Sequence, residues 1–264
     1  MKRFAIAYNK NIEHSSEAMT ELKFVLGRNN IRPDVFDIDN LKDGYRFVFV
    51  IGGDGTILKA ARFYAKSSTL IFGVNLGRLG FLSQCSRSSI KTSVEKILKK
   101  KYIIEERTML QSGDRLALND FVVKGSSTGR TSKFSLKIND KLVCDYLADG
   151  IIITTPTGST AYGLSAGGPV ISPALNAFVV VPICPHTLTA RPIVIPDNEK
   201  ITISAGNPDM HYVASTDGQE FYEFKSEIDI RKSDFTAKLA LLDGADFYSV
   251  LKDKLHWGTS PANI

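Results

Sequence analysis

Cysteine is scarce in this sequence. Cys85, Cys144 and Cys184 are the only three in 264 residues, they lie far apart, and none forms a C-x-x-C pair. That excludes a zinc ribbon and a thioredoxin-like motif, and an odd number of thiols suits a reducing, cytosolic compartment. Histidine is nearly as scarce, with four scattered residues and no H-E-x-x-H. No protein-built metal cage is therefore expected, while a metal carried in on phosphates stays open. No apolar run approaches the ~18 residues of a membrane-spanning helix. The opening MKRFAIAYNK has only a short apolar stretch, below the about 7–15 residues of a secretory h-region, and reads as a first β-strand. Charge of one sign is also lacking. The net charge of +5 is too small to indicate nucleic acid, but it is compatible with a polyanionic ligand.

The length exceeds the usual size of a single domain, and two domains are expected. Over the first ~110 residues strand and helix patterns alternate. Strands are predicted at 4–8, 33–38, 47–51 and 70–74, and helices at 15–27, 56–66 and 88–100. Ser15 or Ser16 is the expected N-cap of the first helix and Gly27 its stop. The FVFVI run at 47–51 suits a strand buried on both faces of a parallel sheet. From about residue 102 the texture changes to short runs rich in Val, Ile, Phe and Thr, with Asn139-Asp140 as a turn between two of them. The expected organisation is an α/β domain over 1–110, a mostly β domain over 111–240, and a tail over 241–264. The tail's helix at 245–255 has an apolar face that must be buried, with the first domain as the expected place.

Four motifs carry chemistry. Gly52-Gly53-Asp54-Gly55-Thr56 follows a buried strand and precedes a helix. Its glycines allow a sharp turn and close approach of a ligand, and the helix start offers N–H groups to phosphate. Asp54 is then presented at the carboxyl end of a strand; a tight turn with Asp54 as an ordinary cap is the plainer alternative. There is no P-loop, and Leu58 stands where the dinucleotide fingerprint needs its third glycine. A second loop, 73–82, holds Gly77 and Arg78 after another strand. Beside the first loop it would make a two-sided phosphate cleft; alone it is a plain connection. The third motif, 154–169, crowds hydroxyls and glycines around Tyr162. Those donors suit sugar and phosphate oxygens, and the ring suits a nucleobase, although a turn-rich connection is the simpler reading. The fourth is Asn119-Asp120. An amide can pair with adenine and a carboxylate with ribose hydroxyls, yet such a pair is more often a turn.

In this order and spacing, Gly-Gly-Asp-Gly-Thr, Asn-Asp and Thr-Pro-Thr-Gly-Ser-Thr-Ala-Tyr, with Pro-Ile-Cys-Pro-His at 182–186 and Asp217-Gly218-Gln219, resemble the NAD kinases over about residues 4–258. Lipid kinases and phosphofructokinases carry a loop similar to the first motif, and the later motifs separate them. The resemblance implies transfer of a phosphoryl group from ATP or polyphosphate to the 2′-hydroxyl of the adenosine ribose of NAD. It implies Asp54 as the base, Gly55 against the substrate, Lys59 near phosphate, and Gly52, Gly53, Gly55, Thr56, Gly77 and Arg78 as the phosphate loops. Asn119 would read adenine and Asp120 the ribose, with Thr157 and Tyr162 holding the adenine. Thr160, Ala161, Gly163, Leu164 and Ser165 would line the same pocket. Asp149 would reach the nicotinamide end, in some relatives from a neighbouring subunit, and Arg130, Cys184, His186 and Gln219 are further lining positions. Leu147 stands where relatives often carry a basic residue. The implied cofactor is Mg²⁺ or a similar divalent cation delivered with the donor, and the implied assembly is a homodimer or homotetramer with a shared site. The alternatives are a non-catalytic NAD-binding sensor and a lipid or sugar kinase sharing the first loop. Cys85 and Cys144 are expected as small buried side chains, and Trp257 as an anchor for the terminal helix.

Overall fold

The computed structural model describes residues 4–77, 80–83, 85–125, 131–187, 189–206, 211–242 and 246–256. In chain order the strands are β1 Phe4–Tyr8, β2 Asp34–Asp37, β3 Phe47–Ile51, β4 Leu70–Asn75, β5 Cys85–Ser86, β6 Tyr102–Ser112, β7 Arg115–Ala117, β8 Asp120–Gly125 and β9 Ser132–Ile138. They continue with β10 Lys141–Ala148, β11 Gly150–Thr154, β12 Ala177–Ile183, β13 Ile193–Pro196, β14 Ile201–Ala205, β15 Tyr212–Thr216, β16 Glu220–Phe224 and β17 Glu227–Leu242. The α-helices are α1 Ser15–Gly27, α2 Asp54–Tyr64, α3 Ile90–Leu98, α4 Tyr162–Ser165 and α5 Phe247–Leu255. The chain forms two compact units, Met1–Glu106 with Ala237–Ile264, and Arg107–Thr236.

The first unit is built on parallel strands in the order β2, β1, β3, β4, with the end of β17 pairing in parallel beside β4. All five residues of β3 are buried, as expected for a strand covered on both faces. On α1 and α3 the apolar stripes (Ala18, Leu22 and Leu26; Ile90, Val94 and Ile97) enter one core with Phe49, Phe72 and Val74. Lys91, Lys96, Lys99 and Lys100 are exposed and make up the solvated side at α3. Ser15 and Ser16 do not cap α1. The N-cap is His14, in the left-handed region at φ 62°, and it makes no side-chain cap bond. Helix α2 starts at Asp54, which puts that residue in its first turn.

The second unit packs two antiparallel arrays face to face. One runs β10, β9, β14 and the start of β17, and the other runs β13, β12, β11, β8, β15, β16. Alternating side chains explain the arrangement. Phe121, Val123, Ile151, Ile153, Phe178 and Tyr212 of the six-stranded sheet share one core with Phe134, Leu136, Ile201 and Ile203 of the other array. The alternate residues Val122, Ile152, Val179, Val181 and Ile183 point to the sheet's outer face and pack with Ile171 and Ala166. Asn139 and Asp140 both have positive φ and join β9 to β10, as the turn signal requires. Residues 221–230 contribute to two strands, with a bend at Lys225 and Ser226.

Candidate functional site

In the first unit, adjacent parallel strands bring two glycine-rich loops together. The Gly52 N–H donates to the Val74 carbonyl at 2.9 Å, so the turn after β3 lies beside the end of β4. A Cβ on Gly52 would fall on the Thr56 side chain. From the first turn of α2 the Asp54 carboxylate reaches the second loop, where it accepts the Phe81 N–H at 2.8 Å and the Leu82 N–H at 3.3 Å. A Cβ on Gly80 would fall on that same carboxylate. The loop is itself tied, with Asn75 accepting the Gly77 N–H at 3.0 Å and Ser83 Oγ accepting the Gly80 N–H at 2.6 Å. Asp54 is therefore no ordinary cap. Each of its oxygens takes one amide and keeps a further lone pair toward other donors. Lys59 pairs with Asp39. Arg78 lies outside the described residues.

In the second unit a cavity of about 510 Å³ opens on the outer face of the six-stranded sheet. Its floor is Val122, Lys124, Val213 and Ser215, and its walls include Asn119, Asp120, Ala161, Tyr162 and Phe221. Two aromatic rings and a few convergent polar groups are what a nucleoside needs. Lys124 Nζ donates to the Tyr162 hydroxyl at 3.0 Å and fixes that ring at the rim. Asp120 is buried. Burial, then the neighbouring Asp217 charge, pushes its carboxyl up to about 7.

The run of small residues at 154–163 has a packing reason. The Thr155 N–H and the Thr154 hydroxyl both donate to the Asn119 carbonyl, at 2.9 and 3.0 Å, and Thr155 Oγ1 donates to the Leu118 carbonyl at 2.6 Å. A Cβ on Gly158 would fall on the Asn119 carbonyl oxygen. Thr157 is buried and accepts from Arg107 Nη1 at 3.2 Å, while Thr160 folds back onto the Thr157 carbonyl. Gly163 is packed under Thr154. Of the predicted binding residues, the cavity gathers Asn119, Asp120, Ala161 and Tyr162. Thr157, Thr160, Gly163, Leu164, Ser165 and Gln219 do not line it. Asp149, Cys184 and His186 are exposed. Arg130 and Trp257 lie outside the described residues. Cys85 is buried, and that burial raises its thiol, whereas Cys144 is only partly buried. Arg107 escaped the sequence reading of the site, and Asp217 was named there within a motif but given no role. Arg107 lies in a run with Glu105 and Glu106 that carries no motif, and the partners of Asp217 are almost a hundred positions away.

Among the described residues no cluster of His, Cys, Asp or Glu could hold a metal ion, and no helix is long and apolar enough to cross a membrane.

Comparison with known proteins agrees with this geometry. Residues 5–102 match the ATP-NAD kinase N-terminal domain and residues 118–242 the ATP-NAD kinase C-terminal domain. An NAD kinase of Carboxydothermus hydrogenoformans is 38% identical over 84% of this chain and 83% of its own. One of Azoarcus sp. (strain BH72) is 42% identical over 80% of this chain and 76% of its own. Among solved structures, an NAD kinase from Archaeoglobus fulgidus in complex with ATP superimposes with a TM-score of 0.82 at 29% identity, covering 96% of this chain and 98% of its own. A yeast NADH kinase complexed with NADH shares the fold, with a TM-score of 0.86 at 23% identity over 98% of this chain and 89% of its own. With both of its domains matched to the same family, the chain belongs to the NAD kinases.

Proposed function

We propose that this protein phosphorylates NAD at the 2′-hydroxyl of its adenosine ribose, using ATP or polyphosphate, to make NADP. The observation that carries the reading is the cavity on the outer sheet face. There the Asn119-Asp120 pair and Tyr162, about forty positions apart in the sequence, meet around a space of about 510 Å³. Asn119 and Tyr162 supply amide and ring for the adenine, and Asp120 accepts from ribose hydroxyls.

Asp54 acts as the proton acceptor. The 2′-oxygen attacks the terminal phosphorus of the donor, the bond from that phosphorus to the bridging oxygen breaks, and the 2′-hydroxyl proton passes to the Asp54 carboxylate. The transfer depends mainly on positioning and on neutralising phosphate charge. The fixed orientation of Asp54 on two amides supports this role. The divalent cation belongs to the donor as its metal complex. Thr157, Thr160, Gly163, Leu164, Ser165, Asp149, Cys184, His186 and Gln219 lie outside this cavity and are assigned to the rest of the bound dinucleotide, and Lys59 and the glycine loops serve the phosphates.

The protein works as a homodimer or homotetramer in the cytoplasm. Leu142, Val143 and Leu147 on the edge strand β10, and Ile193 and Val194 on the edge strand β13, are exposed apolar side chains that support assembly. Three free thiols support a reducing compartment.

The test is to incubate the pure protein with NAD, ATP and Mg²⁺ and to follow NADP with an NADP-specific dehydrogenase. NADP formation is expected. Its absence with both ATP and polyphosphate would overturn the reading. Gel filtration with light scattering checks assembly, and an active monomer would contradict the shared site.

A further inference from the structure

The Asn119–Asp120 pair sits where a strand begins, and something must hold its backbone for two side chains to enter one cavity. The motif at 154–158 takes the carbonyls of Leu118 and Asn119. The amides on the same stretch are taken by a single side chain. Asp217 Oδ1 accepts the Asn119 N–H at 2.7 Å and the Asp120 N–H at 3.2 Å, and Oδ2 accepts the Leu118 N–H at 3.2 Å. In return the Asp217 N–H donates to the Asp120 carbonyl at 2.9 Å. Asp217 and Gly218, at φ 50° and 63°, are the central residues of the turn between β15 and β16, closed by the Gln219 N–H on the Thr216 carbonyl at 2.9 Å. Asparagine serves such a turn at least as well as aspartate, so the turn does not account for a carboxylate here.

We infer that Asp217 is a positioning residue of the dinucleotide site: its carboxylate fixes the backbone at 118–120, and so sets the Asn119 and Asp120 side chains in the cavity. The inference rests on the proposed reading of that cavity as the NAD site. Asp217 also lines the cavity, so its charge acts on Asp120 as well as its hydrogen bonds. The other titratable groups of the cavity lining are Lys124 and Tyr162.

Two variants test it, with NAD affinity measured by calorimetry without donor. Asp217→Asn keeps the turn and one acceptor oxygen but loses the charge and one acceptor. Asp217→Ala removes the clamp. The Kd for NAD is expected to rise about 10-fold in Asp217→Ala and less in Asp217→Asn, as for loss of hydrogen bonds to a charged group. The KM for ATP stays near that of the wild type in both, and the melting temperature stays near it in Asp217→Asn. In Asp217→Asn the pH midpoint of NAD binding moves to the acid side, because Asp120 then ionises without a like charge beside it. Unchanged NAD affinity in both variants overturns the inference. So does a rise in NAD Kd and ATP KM in parallel with a fall in melting temperature, which is the mark of a merely structural residue. An unmoved pH midpoint also counts against it. If the wild type binds NAD but makes no NADP, the proposed activity falls and these binding results still decide the role of Asp217.

Discussion

In the first unit the carboxylate proposed as proton acceptor, Asp54, leans on two backbone amides of a glycine loop. In the second unit Asp120 is buried beside another carboxylate and holds its proton up to about pH 7. The sheets explain the difference. A parallel sheet collects its loops at the strand ends, where glycine exposes backbone N–H groups and a carboxylate can be oriented by main chain. An antiparallel sheet offers a face, where a cavity is walled by side chains and a carboxylate lies among apolar neighbours such as Val122 and Val213. One environment suits proton transfer from a fixed direction. The other suits recognition.

The contrast can be broken at its strongest point first. Asp54→Asn is expected to lower kcat by about 10²–10⁴-fold, the usual contribution of a general base. Steady-state kinetics with NAD and ATP check this, and near-normal turnover would remove Asp54 from the chemistry. Gly80→Ala comes next. Its Cβ must displace the Asp54 carboxylate, and a misplaced catalytic group costs on the order of 10²-fold in kcat. The Kd for NAD is expected to stay near the wild-type value, so an equal loss of affinity would merge the two roles.

Asp120→Asn sharpens the other side. The Asp120 carboxyl titrates near 7 in the fold and near ~4 in an unfolded chain, so the folded state holds the extra proton between those values. Its stabilising contribution is complete below about pH 4 and is lost as pH rises through about 7. The asparagine variant lacks that slope, and at pH 8 it is expected to melt a few degrees higher, at about 2–4 °C per kcal/mol for a chain of this size. Thermal melts across pH 4–8 check it. The smallest effect is expected from Tyr162→Phe, which removes the acceptor of the Lys124 bond. At an exposed rim such a bond contributes about 0.5–1 kcal/mol, a two- to fivefold rise in KM for NAD by initial-rate kinetics.

Much of this was legible in the residues. The unbroken FVFVI run gave β3, the 3.6-residue stripes gave α1 and α3, and Asn-Asp marked the β9–β10 turn. Strand β17 was legible only at its start, because Arg231, Lys232, Ser233 and Asp234 interrupt the apolar pattern in the middle of a 16-residue strand. The motif residues were also plain, but their partners were not. Gly80 is glycine because of a carboxylate 26 positions earlier, and Asp217 clamps amides almost a hundred positions away. Such long-range contacts leave no local period or spacing.

The most direct test measures the Kd for NAD and kcat together in Asp54→Asn. If the first unit supplies the proton acceptor and the second the recognition, Kd stays within about twofold, less than one hydrogen bond is worth, while turnover collapses. A variant that turns over normally, or one whose NAD affinity falls with its activity, would contradict that division.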